Sequence, residues 1–255
     1  MKVSIITVVR NNVLTIEQTI KSIQSQTYKN IEHIIIDGES TDGTLSILKS
    51  NFDKFSNLIS ESDDGIYDAM NKGIKLASGH IIGFLNSDDF YSNDNVISKI
   101  VKQFETDNTL DALYADLIYI DKIDSSKVVR YYKSGKFKQG LFLKGWCPAH
   151  PTFFVRKSVY EKYGNFDLNY RVAADVELMM RFFEVHKIKS LYIPDVWIKM
   201  RAGGASNKDL KSIFLQNKEI LHSFKKNKLQ VNVAKFLIYK IISRTLQYLN
   251  FKKFN

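Results

Sequence analysis

Asn86, Ser87, Asp88 and Asp89 put four oxygen-bearing side chains in a row. They directly follow Ile81 to Leu85, an apolar run rich in β-branched and aromatic residues that predicts a buried strand. Acids at the carboxyl end of a core strand stand where open α/β sheets bind ligands. Two adjacent carboxylates repel unless a cation joins them. An all-oxygen set suits Mg²⁺ or Mn²⁺, which keep several waters and bridge one or two carboxylates to a substrate diphosphate. The same residues also fit a plain Asp- and Ser-rich turn. A third acid, Asp175, stands at the start of a predicted helix in YRVAADVELMMRFF, where an acid can serve as a cap. Leu178, Met179 and Phe182 form that helix's apolar face, and Glu177 and Arg181 are spaced to pair.

The elements that must position these acids alternate. Val3 to Val9 predicts a buried strand, broken by Asn11 and Asn12. Leu14, Ile16, Ile20 and Ile23 predict a helix to about Gln26, with Thr15 and Gln18 spaced as a capping box. Ile31 to Ile36 predicts a second strand ending in Asp37 and Gly38. GESTDGT then turns into a helix from Thr44 to about Asn51, with Asp42 and Gly43 as a candidate cap. Strand, helix, strand, helix implies a parallel sheet. The strand ends Arg10–Asn11 and Asp37–Gly38 would then share a crevice with Asp88 and Asp89, the geometry of a nucleotide site, where Asp37 could accept from a base or ribose edge. GxGxxG and GxxxxGK[ST] are both absent from the sequence.

Asp63, Asp64 and Gly65 predict a turn, followed by a helix with Ile66, Met70 and Ile74 on one face, ending near Gly79. Asp64 and Lys72 border the crevice, Lys72 facing either a phosphate or solvent. Ile97 to Phe104 predicts a helix and Ala112 to Ile120 a strand. Ser125 to Lys138 has no clear period and is assigned as an acceptor-side loop. In GWCPAHP, residues 145–151, Trp146 and His150 are candidate sugar platforms, with loop packing the alternative for Trp146. Cys147 is expected to be a small buried hydrophobe rather than a nucleophile. Ser190 to Ile198 predicts the last strand. RAGGAS, Arg201 to Ser206, is either a plain turn or a loop that closes on a diphosphate through Arg201 or Ser206.

A chain of 255 residues with 44% hydrophobic content and 3 prolines can bury one large α/β core. The net charge of +10 is concentrated: residues 207–255 hold 11 Lys and Arg against Asp209 and Glu219, leaving about +1 for the rest. A nearly neutral body without interleaved aromatic motifs argues against nucleic acid as a partner. With Cys147 the sole cysteine, no internal disulfide can form. The opening MKVSIITVVRNN lacks the features of a signal peptide, so a cytoplasmic location is expected. The longest apolar stretch, Val231 to Leu249, is broken by Lys235, Lys240 and Arg244 and is not a membrane span. It is periodic instead. From further back in the chain, Ile213, Leu221, Phe224, Leu229, Val233, Phe236, Leu237, Ile241, Ile242, Leu246 and Leu249 recur at near-helical spacing among basic residues, so residues 213–249 predict either basic amphipathic helices on an anionic membrane surface or helices packed on the domain.

SIITVVRN, IEHIIIDGESTDGT, SDDGIYDAMNKGI, ASGHIIGFLNSDD and VAADVELMMR, in this order and spacing, resemble the family 2 inverting glycosyltransferases of bacterial surface polysaccharide assembly. The resemblance spans roughly Lys2 to Ser206. It implies a GT-A fold, with a Rossmann-like, mostly parallel sheet flanked by helices over residues 1–206; the charge and periodicity of 207–255 add a basic helical extension. It also implies a nucleotide-sugar donor, with UDP expected from family frequency, and Mn²⁺ or Mg²⁺ on a DxD-like motif. That motif here is NSDD, with Asn86 at its first acidic position, so Asp88 becomes the first choice for metal and diphosphate and Asp89 the second. Thr7, Val9, Asn11, Asp37, Asp64, Lys72, Ser87, Asp88 and Arg201 are the expected donor contacts. Asp175 aligns with the catalytic base, and Trp146 and His150 stand on the acceptor side. Such enzymes often act on lipid-linked acceptors, so the expected protein extends a polyprenyl-diphosphate-linked glycan at the inner face of the membrane. A sugar nucleotidyltransferase would use similar parts but release pyrophosphate. An inactive relative would bind donor without transfer.

Overall fold

Seven consecutive buried residues make β1 (Val3–Val9) the centre of the parallel half of the sheet. It pairs in parallel with β2 (Ile31–Asp37) on one side and β4 (Ile81–Phe84) on the other, and β3 (Asn57–Ser60) extends the sheet beyond β2. The computed structural model describes residues 1–203 and 210–249. Helices α1 (Ile16–Gln24), α2 (Thr44–Ser50) and α3 (Ile66–Leu76) connect these strands, the crossover arrangement parallel strands require. Helix α3 lies close on β1, since a Cβ at Gly73 would stand 2.4 Å from Ile6 Cγ2.

Past β4 the sheet becomes mixed. After the two-residue β5 (Phe90–Tyr91) and helix α4 (Val96–Thr106), the nine-residue β6 (Ala112–Ile120) runs antiparallel to β7 (Val128–Tyr132). It is also antiparallel to β8 (Phe154–Arg156), which links it to β4. Helices α5 (Lys157–Tyr163) and α6 (Ala174–Met180) follow, and β9 (Ser190–Arg201) lies parallel to β6 on its other edge. The strand order is β3-β2-β1-β4-β8-β6-β9-β5, with β7 paired to β6. Apolar clusters fill both faces of this sheet.

The chain ends in α7 (Leu210–Lys226) and α8 (Val233–Leu249). Ile220, Phe224 and Phe236 from these helices belong to the largest buried cluster, together with Leu178, Met180 and Phe182. Glu219 accepts from the backbone N–H groups of Arg171, Val172 and Ala173 at 3.0 Å each, tying α7 to the start of α6. The expected boundary at residue 206 lies outside the described residues. Among the described residues, no helix is long and apolar enough to cross a membrane.

Several local expectations are corrected. The capping box does not form, because the Thr15 hydroxyl donates to Asn12 Oδ1 and the Ser87 carbonyl while Gln18 accepts from Arg201. Tertiary partners outcompete the local ones. Ile66 is exposed, and Tyr67 takes the buried position in the first turn of α3. The segment 125–138 contains β7, whose alternation is obscured because Val128, Val129, Tyr131 and Tyr132 are all only half-buried.

Candidate active site

The carboxyl ends of β1 and β4, the start of α6, the 145–151 loop and the inner face of α8 wall a cavity of about 640 Å³. Side chains from the turn after β1 and from α1 hold its first wall in shape. Asn12 Nδ2 donates to Ser87 Oγ at 2.8 Å, Thr15 Oγ1 to the Ser87 carbonyl at 2.9 Å and Thr19 Oγ1 to the Asp89 carbonyl at 2.8 Å. The strand-to-turn segment 86–89 is thereby fixed against the helix that follows β1. Asn86, Ser87 and Asp88 line the cavity, with Arg10, Asn12 and Asp63 beside them.

The two adjacent acids do not share one environment. Asp88 faces the cavity, and burial raises its pKa above the ordinary carboxylate value while the charge of Arg201 opposes the rise. Asp89 is fully buried. Its carboxylate accepts from Asn86 Nδ2 at 3.3 Å and from the Arg201 backbone N–H at 3.4 Å. Burial first, and then the neighbouring Asp88 charge, push its pKa well up. Among the described residues, no three His, Cys, Asp or Glu side chains converge into a metal cage. A single cavity-facing carboxylate flanked by the oxygens of Asn86 and Ser87 fits a hard cation that completes its shell with water and phosphate oxygens. Asp88 is the carboxylate that could hold such a cation, and Asp89 is buried beneath the turn.

Asp175 is the first-turn acid of α6 and lines the same cavity. Tyr67, buried in α3, donates its hydroxyl to Asp175 Oδ1 at 2.9 Å. Burial, and then the Asp175 charge, hold the Tyr67 phenol far above its usual pKa, so it stays a donor. Tyr67 packs on Phe166 with ring centres 5.5 Å apart. The carboxylate is therefore oriented by a rigid partner, while α6 continues through the Glu177–Arg181 pair at 3.0 Å.

Trp146 and His150 both line the cavity. Trp146 is also a packing residue, with its ring edge-on to Phe142 at 5.2 Å and its indole N–H on the Ser134 carbonyl. His150 stacks on Phe84 at 5.4 Å, and burial lowers its pKa, so the ring is neutral. Cys147, expected to be buried, is half-buried and lines the cavity, where its desolvated setting pushes the thiol pKa well up.

The other expected donor contacts are dispersed. Val9 and Ser87 line the cavity. Thr7 is fully buried in β1, with Oγ1 3.0 Å from His33 Nε2. Asn11, with φ at 51°, accepts from the Thr41 N–H through Oδ1 at 2.8 Å. Asp37 is fully buried and accepts from Ser60 Oγ at 2.6 Å and the Ser40 N–H at 3.2 Å. Asp64 is exposed; the acid that lines the cavity is its neighbour Asp63, whose Oδ2 occupies the space a Cβ at Gly38 would need. Lys72 does not line the cavity and binds Glu61 at 2.9 Å and Asp68 at 3.4 Å. Arg201 donates to Gln18 Oε1 and lies over the Phe90 ring at 5.5 Å, while Met200 and Gly203 line the cavity. Ser206 lies outside the described residues.

Sequence reasoning missed Asn12, Asp63 and Tyr67. It also missed the whole wall formed by β7 and α8: Arg130, Lys133, Lys240 and Arg244 all line the cavity. For the helix the signal was present in the 3–4 residue spacing of Phe236, Lys240, Arg244 and Gln247; Arg130 and Lys133 carried no such pattern.

Residues 4–164 match the family model "Glycosyl transferase family 2". An uncharacterised glycosyltransferase of Mycobacterium tuberculosis is 34% identical over 180 residues, covering 70% of this chain and 68% of the relative. A "PGL/p-HBAD biosynthesis glycosyltransferase" of Mycobacterium bovis is 30% identical over 220 residues, covering 84% and 82%. Among solved structures, S. aureus TarS with UDP has a TM-score of 0.64 at 17% identity, over 94% of this chain and 70% of that one. A Pyrobaculum calidifontis mannosyltransferase with GDP-Man and Mn²⁺ has a TM-score of 0.65 at 18% identity, over 97% and 69%. These two likenesses give the fold, GT-A, with its curled mixed sheet between helices. The family model covers more than half of the chain and relatives at 30% identity or better cover over two thirds, so this chain belongs to glycosyl transferase family 2 and is a glycosyltransferase.

Proposed function

We propose that the chain transfers a sugar, with inversion, from a nucleotide-sugar donor to a hydroxyl of a lipid-linked glycan during bacterial surface polysaccharide assembly. One observation carries this reading: Asp88 and the Tyr67-held Asp175 face a single cavity. A sugar hydroxyl is a weak nucleophile until a positioned base takes its proton, and Asp175 has that role. Tyr67 fixes which carboxylate oxygen is occupied and leaves Oδ2 for the substrate. Asn12, Ser87 and Asp88 stand where the nucleoside diphosphate binds, with Asp63 beside them. A divalent cation, when bound at Asp88, would supply Lewis-acid neutralisation of the leaving diphosphate. Trp146 and His150 give the acceptor sugar an apolar wall. UDP is the nucleotide to test first, since the structural neighbours were captured with UDP, UDP-GlcNAc and GDP-Man.

We also place the protein peripherally on the cytoplasmic membrane face. Ile238, Ile241, Ile242 and Leu246 on the outer face of α8 are about half to two-thirds exposed. An anionic leaflet adds about 1 kcal/mol for each nearby Lys or Arg, such as the exposed Lys235. Lys240 and Arg244, counted in the basic stripe from sequence, turn instead toward the cavity.

Screening nucleotide sugars for thermal stabilisation with Mn²⁺ present, then assaying the product, tests the reading. Nucleoside diphosphate release with an acceptor supports it. Pyrophosphate release from a sugar phosphate and a nucleoside triphosphate would establish a nucleotidyltransferase instead, and donor binding without transfer an inactive relative.

A further inference from the structure

Asp175 is the second residue of α6, a helix whose N-cap is Ala173. An alanine side chain has no oxygen to accept from the backbone amides at a helix start. The buried Glu219 of α7 does this instead, from 44 residues further along the chain. Its Oε1 accepts from the Arg171 N–H, and its Oε2 from the Val172 and Ala173 N–H groups, all at 3.0 Å. Three successive amides converging on one anion make a backbone nest, and hydrogen bonds to a charged acceptor are about twice as strong as neutral ones.

The rest of α7 holds α6 at further points. Asn227 Nδ2 donates to Glu177 Oε1 at 3.2 Å, Ser223 Oγ donates to Met180 Sδ at 3.7 Å, and the Tyr170 hydroxyl lies 3.1 Å from His222 Nδ1. Ile220 belongs to the same buried cluster as Leu178 and Met179. Tyr67 of α3 fixes the Asp175 carboxylate itself at 2.9 Å, so the side chain and the backbone of this acid are set by different elements. Neither Asp175 nor Glu219 falls within residues 4–164, the part of the chain that matches the family model. Moving a reacting group by about 1 Å can cost about 10² in rate, so the backbone hold bears directly on transfer.

We propose, on the reading of Asp175 as the base, that Glu219 is its positioning residue. Glu219 fixes the backbone from which the Asp175 carboxylate reaches the cavity, which makes α7 a working part of the transfer site. Tyr67 sets the rotamer and Glu219 sets the origin.

Three measurements on the full chain test this in wild type, Glu219→Gln, Glu219→Ala and Asp175→Asn: amide hydrogen exchange over residues 170–178, calorimetric titration with UDP and Mn²⁺, and nucleoside diphosphate release to water from UDP-GlcNAc or GDP-mannose. Water there stands in for the acceptor hydroxyl. Glu219→Gln keeps the shape but turns one acceptor oxygen into a donor, so at least one of the three bonds is lost. Exchange at 171–176 should rise tenfold or more in Glu219→Ala and by a smaller factor in Glu219→Gln. Turnover should fall thirtyfold or more and threefold or more, respectively. The donor KM and the UDP affinity should stay within twofold, which also shows that the variants fold. A loss that appears in KM or UDP affinity instead of turnover would make Glu219 merely structural and overturn the proposal. Unchanged exchange would overturn it as well, and exchange alone decides if wild type hydrolyses neither donor. A crippled Asp175→Asn beside fully active Glu219 variants would sink the positioning role alone, whereas wild-type turnover by Asp175→Asn would sink the base reading.

Discussion

Replacing Asp175 by Asn removes one proton acceptor and little else. The Tyr67 hydroxyl, 2.9 Å from Asp175 Oδ1, can donate equally well to an amide oxygen, so the side chain should keep its rotamer and α6 its first turn. The amide cannot take a proton from a sugar hydroxyl. General-base assistance is worth about 10² to 10⁴ in rate, or about 3 to 5 kcal/mol of barrier. Turnover should fall by that factor while donor affinity stays within about twofold. Loss of the charged hydrogen bond from Tyr67 would cost at most about 1 to 2 kcal/mol of stability, a melting-temperature shift of a few degrees at this chain length. The assay pairs nucleoside diphosphate release with a thermal melt, on Asp175→Asn and on Tyr67→Phe. Tyr67→Phe keeps the base but frees its orientation, so it should lose activity by a smaller factor than Asp175→Asn. Retention of more than a tenth of wild-type turnover by Asp175→Asn, with the melt unchanged, would refute the assignment of the base.

Asp88→Ala should abolish transfer with less than about 1 kcal/mol loss of stability, and EDTA should weaken donor binding to wild type, both read by product assay and donor titration. Full activity of that variant in EDTA would remove the metal from the reading. Glu32 predicts an acid-dependent stability. Burial raises its pKa, but hydrogen bonds from Lys2, Ser4 and Ser78 outweigh that and bring it from 4.5 to about 2. The stabilisation is complete above the unfolded-state value and is lost as pH falls through about 2. Glu32→Gln should thus cost about 2 to 3 kcal/mol at pH 7 and much less at pH 3, and an equal cost in melts at both pH values would contradict it. Changing Ile238, Ile241, Ile242 and Leu246 to Ser should reduce cosedimentation with anionic vesicles at low salt while leaving donor binding intact. Equal sedimentation, or none by wild type, would count against membrane attachment.

The sequence by itself determined the parallel half of the sheet and the end at which its strands stop together. Val3–Val9, Ile31–Asp37 and Ile81–Phe84 are rich in Ile and Val because both faces of the sheet are covered, and each gives way to polar residues at the same end. Asp88 and Asp175, 87 residues apart in the chain, line one cavity. Only the tertiary structure decided what each neighbouring polar residue does. Asp88 and Asp89 are indistinguishable in a string of letters, yet the turn after β4 points one into the cavity and buries the other under Asn86 and Arg201. Likewise, Asp63 rather than Asp64 lines the cavity, and Lys72 is held by Glu61 and Asp68. Tyr67 was unreadable because its partner lies 108 residues away. The inner face of α8 was hidden for the same reason. A helix pattern shows two stripes, but which one meets a cavity depends on where α7 and the 145–151 loop seat the helix, and that packing couples residues far apart in the chain.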